Sequence, residues 1–358
     1  FVPPGTLTAA DVVATGRLAV NGASLPINIA MAGKVALVVF DGAAGDWLSL
    51  QFSGVTASSG TVSLVLYDPR GAVVDSASVN ATALSGHLRE LAMAGTYTVM
   101  LSAGTGTASF SLAIKSAPTL AVNGAAQAIP AVLPYQSARI RFAGTSGQNL
   151  GLAMTAITQA PASGYATSLY VYKPDRSLLQ QPIGCRLSDP GPACQTNLSN
   201  LPATGNYGIV VVPPAGSVAG GSLVLSSDLT GTLANGTAVS VNIARAGQNA
   251  RYTFSGTVGQ LVGVQLAQLA TVPATIVTYL TLRNPDGTVL ATTHSALGAN
   301  NDGAIVSATL PTTGTYSVSV DPEYAATAAF SLTRNPVGDL IADGASLNVS
   351  TTVPGLGR

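Results

Sequence analysis

The sequence contains little charge. Only 8% of its 358 residues are charged, against about 25% in an average soluble protein, and the formal net charge is zero. Nucleic-acid binding requires a basic surface, so this composition excludes a nucleic-acid partner. It also excludes electrostatic attachment to an anionic membrane. Two interpretations stay open, a neutral secreted protein and a subunit that associates with its own copies, because a surface with little charge resists association weakly.

Long apolar runs and catalytic motifs are also missing. No apolar run reaches the ~18 residues of a membrane helix, so we expect no membrane insertion. The chain begins at Phe1 without a Met, and we expect a processed or partial product. Its two histidines, His87 and His294, fall in segments that read as exposed loops, and one histidine per repeat makes a poor catalytic set. Hydrolase, zinc-protease and phosphate-loop motifs are absent, so we predict no enzyme, no catalytic residue and no cofactor.

Cysteine is nearly absent as well. The two cysteines, Cys185 and Cys194, enclose a short loop rich in proline and glycine. This spacing predicts a disulfide and an extracellular or cell-surface location, the alternative being two free thiols. A zinc site lacks further nearby ligands, so we predict no metal. The weak exception is Asn300-Asn301-Asp302, whose oxygens could bind calcium, although a polar turn is the favoured interpretation.

What the sequence does have is internal repetition. Three landmarks recur in the same order: a glycine before an apolar strand, a proline turn after a strand, and a glycine-tyrosine pair that begins another strand. The repeated residues are Gly45, Gly147 and Gly259, then Pro69, Pro174 and Pro285, then Tyr97, Tyr207 and Tyr316. Tyr97 and Tyr207 are 110 residues apart, and Tyr207 and Tyr316 are 109 apart. A period of this length corresponds to a domain.

Alternation of apolar and polar residues predicts the structure of each repeat. The alternating segments include residues 48–52, 62–67, 97–101, 110–114, 262–266 and 316–320. No segment reads as a convincing amphipathic helix, and residues 84–93 read as loop and strand. We therefore predict an all-β chain of three tandem antiparallel β-sandwich or jelly-roll domains. In the glycine-tyrosine pair, the glycine permits a positive φ and the tyrosine hydroxyl is expected to reach the backbone as in a tyrosine corner.

The domain boundaries follow from the repeats. We place three domains at residues 1–117, 118–228 and 229–336, and the start of a fourth repeat at 337–358, where Asp343-Gly344 matches Asn235-Gly236. Three explanations of this tail stay open: a cut from a longer repeat protein, a disordered tail, or a donor strand that completes a sheet in the next molecule and builds a head-to-tail filament. The donor-strand candidates are Leu340, Ile341, Leu347 and Val349.

These landmarks resemble the pre-peptidase C-terminal (PPC) domain of secreted bacterial proteins. The resemblance is best over residues 247–334, where Asn284-Pro285-Asp286-Gly287 and Gly314-Thr315-Tyr316 stand in the family's order. The second repeat departs from it at Asp175-Arg176 and in its cysteine loop. The resemblance implies a non-catalytic extracellular β-sandwich, of a kind found beside peptidases and in RHS-type surface proteins. Some relatives bind calcium or matrix polymers, but no matching acidic cluster is present here.

Together these features predict an extracellular structural or adhesive protein of the bacterial surface, with copies of itself or an extracellular polymer as partner. The alternatives are a non-catalytic, polymer-binding accessory region of a secreted hydrolase and the stalk of a larger RHS-type surface protein. Trp47, the only tryptophan, is expected to pack in the core or at a domain interface rather than to bind a sugar. Asp286 is expected to cap its hairpin turn.

Overall fold

The computed structural model describes residues 7–295 and 305–336, and strands dominate both ranges. The helical structure within these ranges is one 3-10 turn, Ala9–Asp11. None of the helical structure in the described residues could span a lipid bilayer. The strands form three pairs of sheets, termed the first, second and third sandwich, and the sheets of each pair are labelled A and B.

The first sandwich contains strands β1 to β9. Their bounds are β1 Val12–Leu18, β2 Leu25–Ile29, β3 Val35–Gly42, β4 Leu48–Ala57, β5 Thr61–Tyr67, β6 Val73–Asn80, β7 Ser85–His87, β8 Gly95–Ser102 and β9 Ala108–Ser116. Sheet 1A has the strand order β1-β3-β8-β5-β6, and sheet 1B has the order β2-β9-β4-β7.

The second sandwich contains β10 to β17. Their bounds are β10 Gln127–Ala128, β11 Ala138–Gly144, β12 Leu150–Ala160, β13 Thr167–Tyr172, β14 Ile183–Cys185, β15 Cys194–Leu198, β16 Gly205–Val212 and β17 Val218–Ser227. Sheet 2A has the order β11-β16-β13-β14, and sheet 2B has the order β10-β17-β12-β15.

The third sandwich contains β18 to β26. Their bounds are β18 Leu229–Thr232, β19 Ala238–Ile243, β20 Ala250–Gly256, β21 Leu261–Val272, β22 Thr278–Arg283, β23 Val289–His294, β24 Ile305–Thr309, β25 Gly314–Pro322 and β26 Thr327–Pro336. Sheet 3A has the order β18-β20-β25-β22-β23, and sheet 3B has the order β19-β26-β21-β24.

Each sandwich encloses its own apolar core between its two sheets. Alternate residues of each strand point inward, as Leu48, Leu50 and Phe52 do on β4, and all three are fully buried. Burying one side chain of this size stabilises the fold by about 2 kcal/mol. The predicted class, a chain of multiple β-sandwiches, is confirmed.

Two sheets have a parallel pair at one edge, where antiparallel pairing was predicted throughout. β1 runs parallel to β3, and β18 runs parallel to β20. The connection explains this difference. After β1 the chain crosses to sheet 1B as β2 and then returns to sheet 1A as β3, so it reverses twice between the paired strands. An antiparallel pair needs a single reversal, as in a hairpin.

The repeated tyrosine closes one end of each core. The hydroxyls of Tyr97, Tyr207 and Tyr316 each donate to the carbonyl four residues earlier, at 2.8, 2.7 and 2.6 Å. Each ring also stacks on a phenylalanine of the neighbouring strand. The predicted tyrosine corner is confirmed in all three repeats.

The glycine before each tyrosine has a further role that the sequence did not predict. Gly95 and Gly205 have positive φ values of 146° and 153°, but Gly314 does not. What all three share is a close contact with the repeated proline. A Cβ atom at Gly95, Gly205 or Gly314 would lie 2.6, 2.9 or 2.7 Å from the proline ring. The glycine is therefore required because the proline turn packs directly against this strand.

Candidate functional site

The candidate functional site is the pair of junctions where consecutive sandwiches meet. At the first junction, the outer face of sheet 1B contacts the outer face of sheet 2A. At the second, the outer face of sheet 2B contacts that of sheet 3A. Ser49 and Gln51 point away from their own core on β4, yet they are only 3% and 8% exposed. The second sandwich therefore covers a sheet face that would otherwise contact water.

Arg139 on β11 is the central cation of the first junction. Its Nη1 atom donates to the carbonyls of Leu88 at 2.6 Å and Leu48 at 3.3 Å. Its guanidinium carbon lies 4.3 Å from the ring centroid of Trp47. Burial, with a smaller effect from nearby Arg176, lowers the pKa of Arg139 to about 10, so the group stays charged at neutral pH. The carbonyls and the aromatic face stabilise this charge in place of water.

Trp47 lies at the same junction rather than inside a core. Its indole N–H donates to Glu90 Oε2 at 2.7 Å, and the same oxygen accepts from Asn206 of the second sandwich at 3.1 Å. A Cβ atom on Gly208 would lie 3.1 Å from the tryptophan ring. Of the two predicted locations, core or domain interface, the structure gives the interface.

The prediction that His87 lies in an exposed loop is wrong. It ends the edge strand β7 and pairs with Ser49 on β4. Its Nδ1 lies 2.7 Å from the Ser49 hydroxyl, and its Nε2 lies 2.9 Å from the Ser137 hydroxyl of the second sandwich. Burial lowers its pKa to about 3, with smaller effects from Arg139 and Arg176. The ring is therefore neutral at pH 7 and a weak base, and it joins the two sandwiches by hydrogen bonds.

Two side-chain amides and a main-chain bond complete the first junction. Gln51 Nε2 donates to the carbonyl of Ser137 at 3.1 Å, and Gln136 Nε2 donates to that of Phe52 at 2.7 Å. A main-chain bond from Leu84 N to the Tyr135 carbonyl, at 2.9 Å, also crosses it. Beside these groups lies a cavity of about 500 Å³, lined in part by Gln51, Gln136 and Arg139.

Arg176 forms an ion pair at the rim of the first junction. Its Nη1 lies 3.0 and 2.9 Å from the two carboxylate oxygens of Asp75. Its backbone has a φ of 71°, close to the 86° and 84° of Gly71 and Gly287 at the same repeat position. Arg176 stands at a position where the family resemblance requires a glycine, and its backbone is therefore in a left-handed conformation. Its side chain reaches the first sandwich.

The second junction has a different centre, in which two backbones touch. A Cβ atom on Gly151 of β12 would lie 1.6 Å from the carbonyl oxygen of Gly247, so no side chain fits there. Gly247 itself has a φ of 69°, and a Cβ atom on it would lie 2.8 Å from the Ala153 methyl. Arg245 adds a bond from Nη2 to the Gly124 carbonyl at 2.6 Å.

A half-buried carboxylate completes the second junction. Asp321 on β25 accepts from Gln195 Nε2 at 2.7 Å and from Asn197 Nδ2 at 2.6 Å, both on β15. Asn249 donates to Asn197 Oδ1 at 2.7 Å. Burial raises the pKa of Asp321, and Asp228 adds to this shift, although the two amide donors oppose it. A cavity of about 570 Å³ adjoins these groups.

The other predicted residues lie away from the junction centres. Cys185 and Cys194 form a disulfide between the end of β14 and the start of β15. Asp286 caps its turn by accepting from the Thr288 N–H at 2.9 Å, as predicted. His294 lies on β23 with its ring 5.8 Å from that of Tyr279, so it belongs to a strand and not to a loop. The calcium candidates Asn300, Asn301 and Asp302 lie outside the described residues, as do the donor-strand candidates Leu340, Ile341, Leu347 and Val349.

Sequence reasoning missed most of the junction residues. Arg141, like Arg139, donates to the first sandwich, at 2.8 Å to the Gly45 carbonyl. Both arginines alternate with core residues, which is also the pattern of a solvent-exposed sheet face. Gly151 and Gly247 carry no special pattern in the sequence. A signal was available for Arg176, because a non-glycine residue at a repeated glycine position indicates a local function.

Comparisons with known proteins give only distant similarities. No family model matches the chain, and no curated protein matches it. One similar solved structure is the pre-peptidase C-terminal domain of a collagenase from Bacillus anthracis, at 13% identity over 30% of this chain and 95% of that chain, with a TM-score of 0.24. Another is PliG from Aeromonas hydrophila, a periplasmic inhibitor of g-type lysozyme, at 12% identity over 30% of this chain and 99% of that chain, with a TM-score of 0.21.

A third similar structure is the M60 catalytic domain with two CBM51 domains of ZmpB from Clostridium perfringens. It is 8% identical over 88% of this chain and 34% of that chain, with a TM-score of 0.18. We assign no function from similarities at this level, and the predicted membership in the PPC family stays a prediction.

Proposed function

We propose that this chain is a non-catalytic, extracellular structural protein that holds its three sandwiches in a fixed arrangement. The observation that supports this proposal is the chemistry of the two junctions. Arg139 is buried there and Asp321 is half-buried, and each is hydrogen-bonded to groups of the neighbouring sandwich. Displacing either sandwich would leave a charged group with little access to water and without its partner, which costs about 1–3 kcal/mol for each group. The disulfide supports an extracellular location.

A distance measurement between the outer sandwiches tests this proposal. Spin labels are placed on cysteines introduced at exposed Thr61 and Val258, and the distance distribution is measured by pulsed EPR. We expect one narrow distribution in the wild type and a broader one in Arg139→Ala. A broad distribution in the wild type would contradict a fixed arrangement. Labels at Thr61 and exposed Val73, at opposite ends of the β5–β6 pair of the first sandwich, provide the reference width.

A second candidate function is binding of an extracellular polymer. The cavity beside the second junction is lined by Tyr279 and Tyr324 together with Arg186 and Asp189. Aromatic faces combined with charged hydrogen-bonding side chains suit a carbohydrate chain. Affinity electrophoresis in gels that contain soluble polysaccharides tests this candidate. We expect retardation of the wild type that Tyr279→Ala abolishes and that the control Tyr165→Ala, at a residue 79% exposed, preserves.

Polymerisation by strand donation stays a prediction, because its candidate residues lie outside the described part of the chain. The stalk of a larger surface protein is compatible with the same fixed arrangement.

A further inference from the structure

The cavity beside the first junction has a buried floor and an exposed rim. Both sandwiches line it, since Gln51 and Lys115 belong to sheet 1B and Gln136 and Arg139 belong to the second sandwich. Gln51, Gln136 and Arg139 are at most 8% exposed, whereas Lys115 is exposed. The volume of about 500 Å³ lies within the ~300–1,000 Å³ of small-molecule sites. A ligand that enters past Lys115 therefore reaches Arg139.

Arg139 retains hydrogen-bond donors for such a ligand. Its bonds to the carbonyls of Leu48 and Leu88 both use Nη1. In the described part of the chain, its Nε and Nη2 have no hydrogen-bond partner, and neither atom is fully buried. The Nε and Nη2 edge of a guanidinium is a planar fork that binds a carboxylate by two parallel hydrogen bonds. Because Arg139 lines the cavity, this edge is available to a ligand there.

The charge on the cavity lining is positive. Lys115 and Arg139 supply it, and no aspartate or glutamate is among the lining residues, all of which belong to the described ranges. Asp75 and Glu90 do influence Arg139 from a distance. Both of these carboxylates are hydrogen-bonded to other side chains, and neither lines the cavity. An anionic ligand is therefore favoured over a neutral or a cationic one.

The rest of the lining suits a sugar. Ser24 and Ser53 supply hydroxyls, and Val132 and Leu133 supply apolar surface. Hydroxyls and amides exchange hydrogen bonds with sugar hydroxyls, while apolar side chains pack against the C–H groups of a sugar ring. An acidic peptide offers the same charge but fewer hydroxyls for this lining. A uronic acid, which is a sugar with a carboxylate, matches both the hydroxyls and the positive charge.

We propose that this cavity binds a uronic-acid unit of an acidic polysaccharide. The sugar carboxylate lies on the Nε and Nη2 edge of Arg139, and Lys115 attracts the anion at the rim. The site is separate from the tyrosine-lined cavity at the second junction. It needs the contact between the first and second sandwiches, but lack of binding would leave the proposed fixed arrangement standing, because the spin-label distances test that arrangement independently.

Isothermal titration calorimetry of the full chain with digalacturonate tests the site. We expect binding that is at least tenfold weaker for dimethyl digalacturonate, the uncharged ester, because the hydrogen bonds from Arg139 lose their charged acceptor. Lys115→Glu should weaken digalacturonate binding about tenfold by reversing the charge at the rim. Arg70→Glu makes the same change at an exposed residue outside the cavity, and Tyr279→Ala alters the other cavity, so both should bind like the wild type. Unchanged circular dichroism melting of each variant shows that the sandwiches stay folded.

Trp47 reports where the ligand binds. The guanidinium carbon of Arg139 lies 4.3 Å from its ring centroid, and as the only tryptophan it gives the one indole N–H signal in an NMR spectrum. Digalacturonate should shift this signal with the dissociation constant that calorimetry gives. A wild type that does not bind, equal affinity for the ester, or full binding by Lys115→Glu would overturn the proposal. So would binding that leaves the indole signal unmoved, or tighter binding of the acidic peptide glycyl-glutamyl-glycine.

Discussion

The two junctions are formed by equivalent sheet faces, but the charged groups at their centres have opposite signs. The first is centred on a buried cation, Arg139, and a neutral imidazole, His87. The second is centred on a half-buried carboxylate, Asp321, and on the contact between Gly151 and Gly247. A repeated fold therefore fixes which faces meet, while the residues on those faces decide what holds them together.

The difference has a consequence for pH. The pKa of His87 is lowered from 6.5 to about 3, so its stabilising contribution is present above pH 6.5 and is lost as the pH falls. The pKa of Asp321 is raised above 3.8, so its contribution is present at low pH and is lost as the pH rises through the raised value. The first junction should therefore weaken in acid, and the second should weaken as the pH increases.

The largest effect is expected from Gly151→Ala at the second junction. The added methyl group would lie 1.6 Å from the Gly247 carbonyl oxygen, which forces the sandwiches apart and costs about 3 kcal/mol. Calorimetry should show the third sandwich unfolding separately and at a lower temperature than in the wild type. Gly164→Ala is the matched control, because no atom lies within 4 Å of its added Cβ. Identical melting of Gly151→Ala and the wild type would contradict this contact.

The first junction should respond most strongly to Arg139→Ala. The substitution leaves the carbonyls of Leu48 and Leu88 without this donor and should cost about 2–3 kcal/mol. Trp47 is the only tryptophan, so its fluorescence reports on this junction alone, and its emission should shift to the red as water enters. Arg251→Ala, at the equivalent position of sheet 3A, is the control. If its emission shifted equally, Trp47 would not be a local reporter.

Opposite pH dependences of the two junctions are the next test. Urea unfolding of the wild type, followed by Trp47 fluorescence, should lose roughly 1 kcal/mol per pH unit below pH 6.5, and His87→Asn should remove that slope. The control His294→Asn should retain it. The stability of the second junction should fall as the pH rises, and it should fall less steeply in Asp321→Asn than in the wild type. Slopes of the same sign at both junctions would refute the comparison.

The fold was predictable because its signals are local. The hydroxyl bonds of Tyr97, Tyr207 and Tyr316 follow from the glycine-tyrosine pair, and the core follows from strand alternation. The junctions were not predictable, because the burial of an outward-facing residue depends on what covers it. Arg139 on a solvent-exposed sheet and Arg139 under a second sandwich have the same sequence pattern. His87 was misread for the same reason, since the pairing of β7 with β4 and the cover from Ser137 are both long-range.

The smallest change in stability is expected at Arg176. Substitutions there separate local backbone strain from the contact across the first junction. Arg176→Ala should destabilise the protein by about 1 kcal/mol through loss of the Asp75 ion pair. Arg176→Gly loses the same pair but relieves the left-handed backbone, which has a φ of 71°, so it should be more stable than Arg176→Ala by about 1 kcal/mol. When Asp75 is replaced by alanine, Arg176 has lost its partner. Urea unfolding should therefore give a higher free energy of unfolding for the double variant Asp75→Ala with Arg176→Gly than for Asp75→Ala alone. Gly71→Arg in the first sandwich is the reciprocal control, because it adds the strain without the partner. Equal stabilities of the alanine and glycine variants would show that the backbone at Arg176 is not strained. The second repeat would then form its contact with Asp75 without a loss of its own stability.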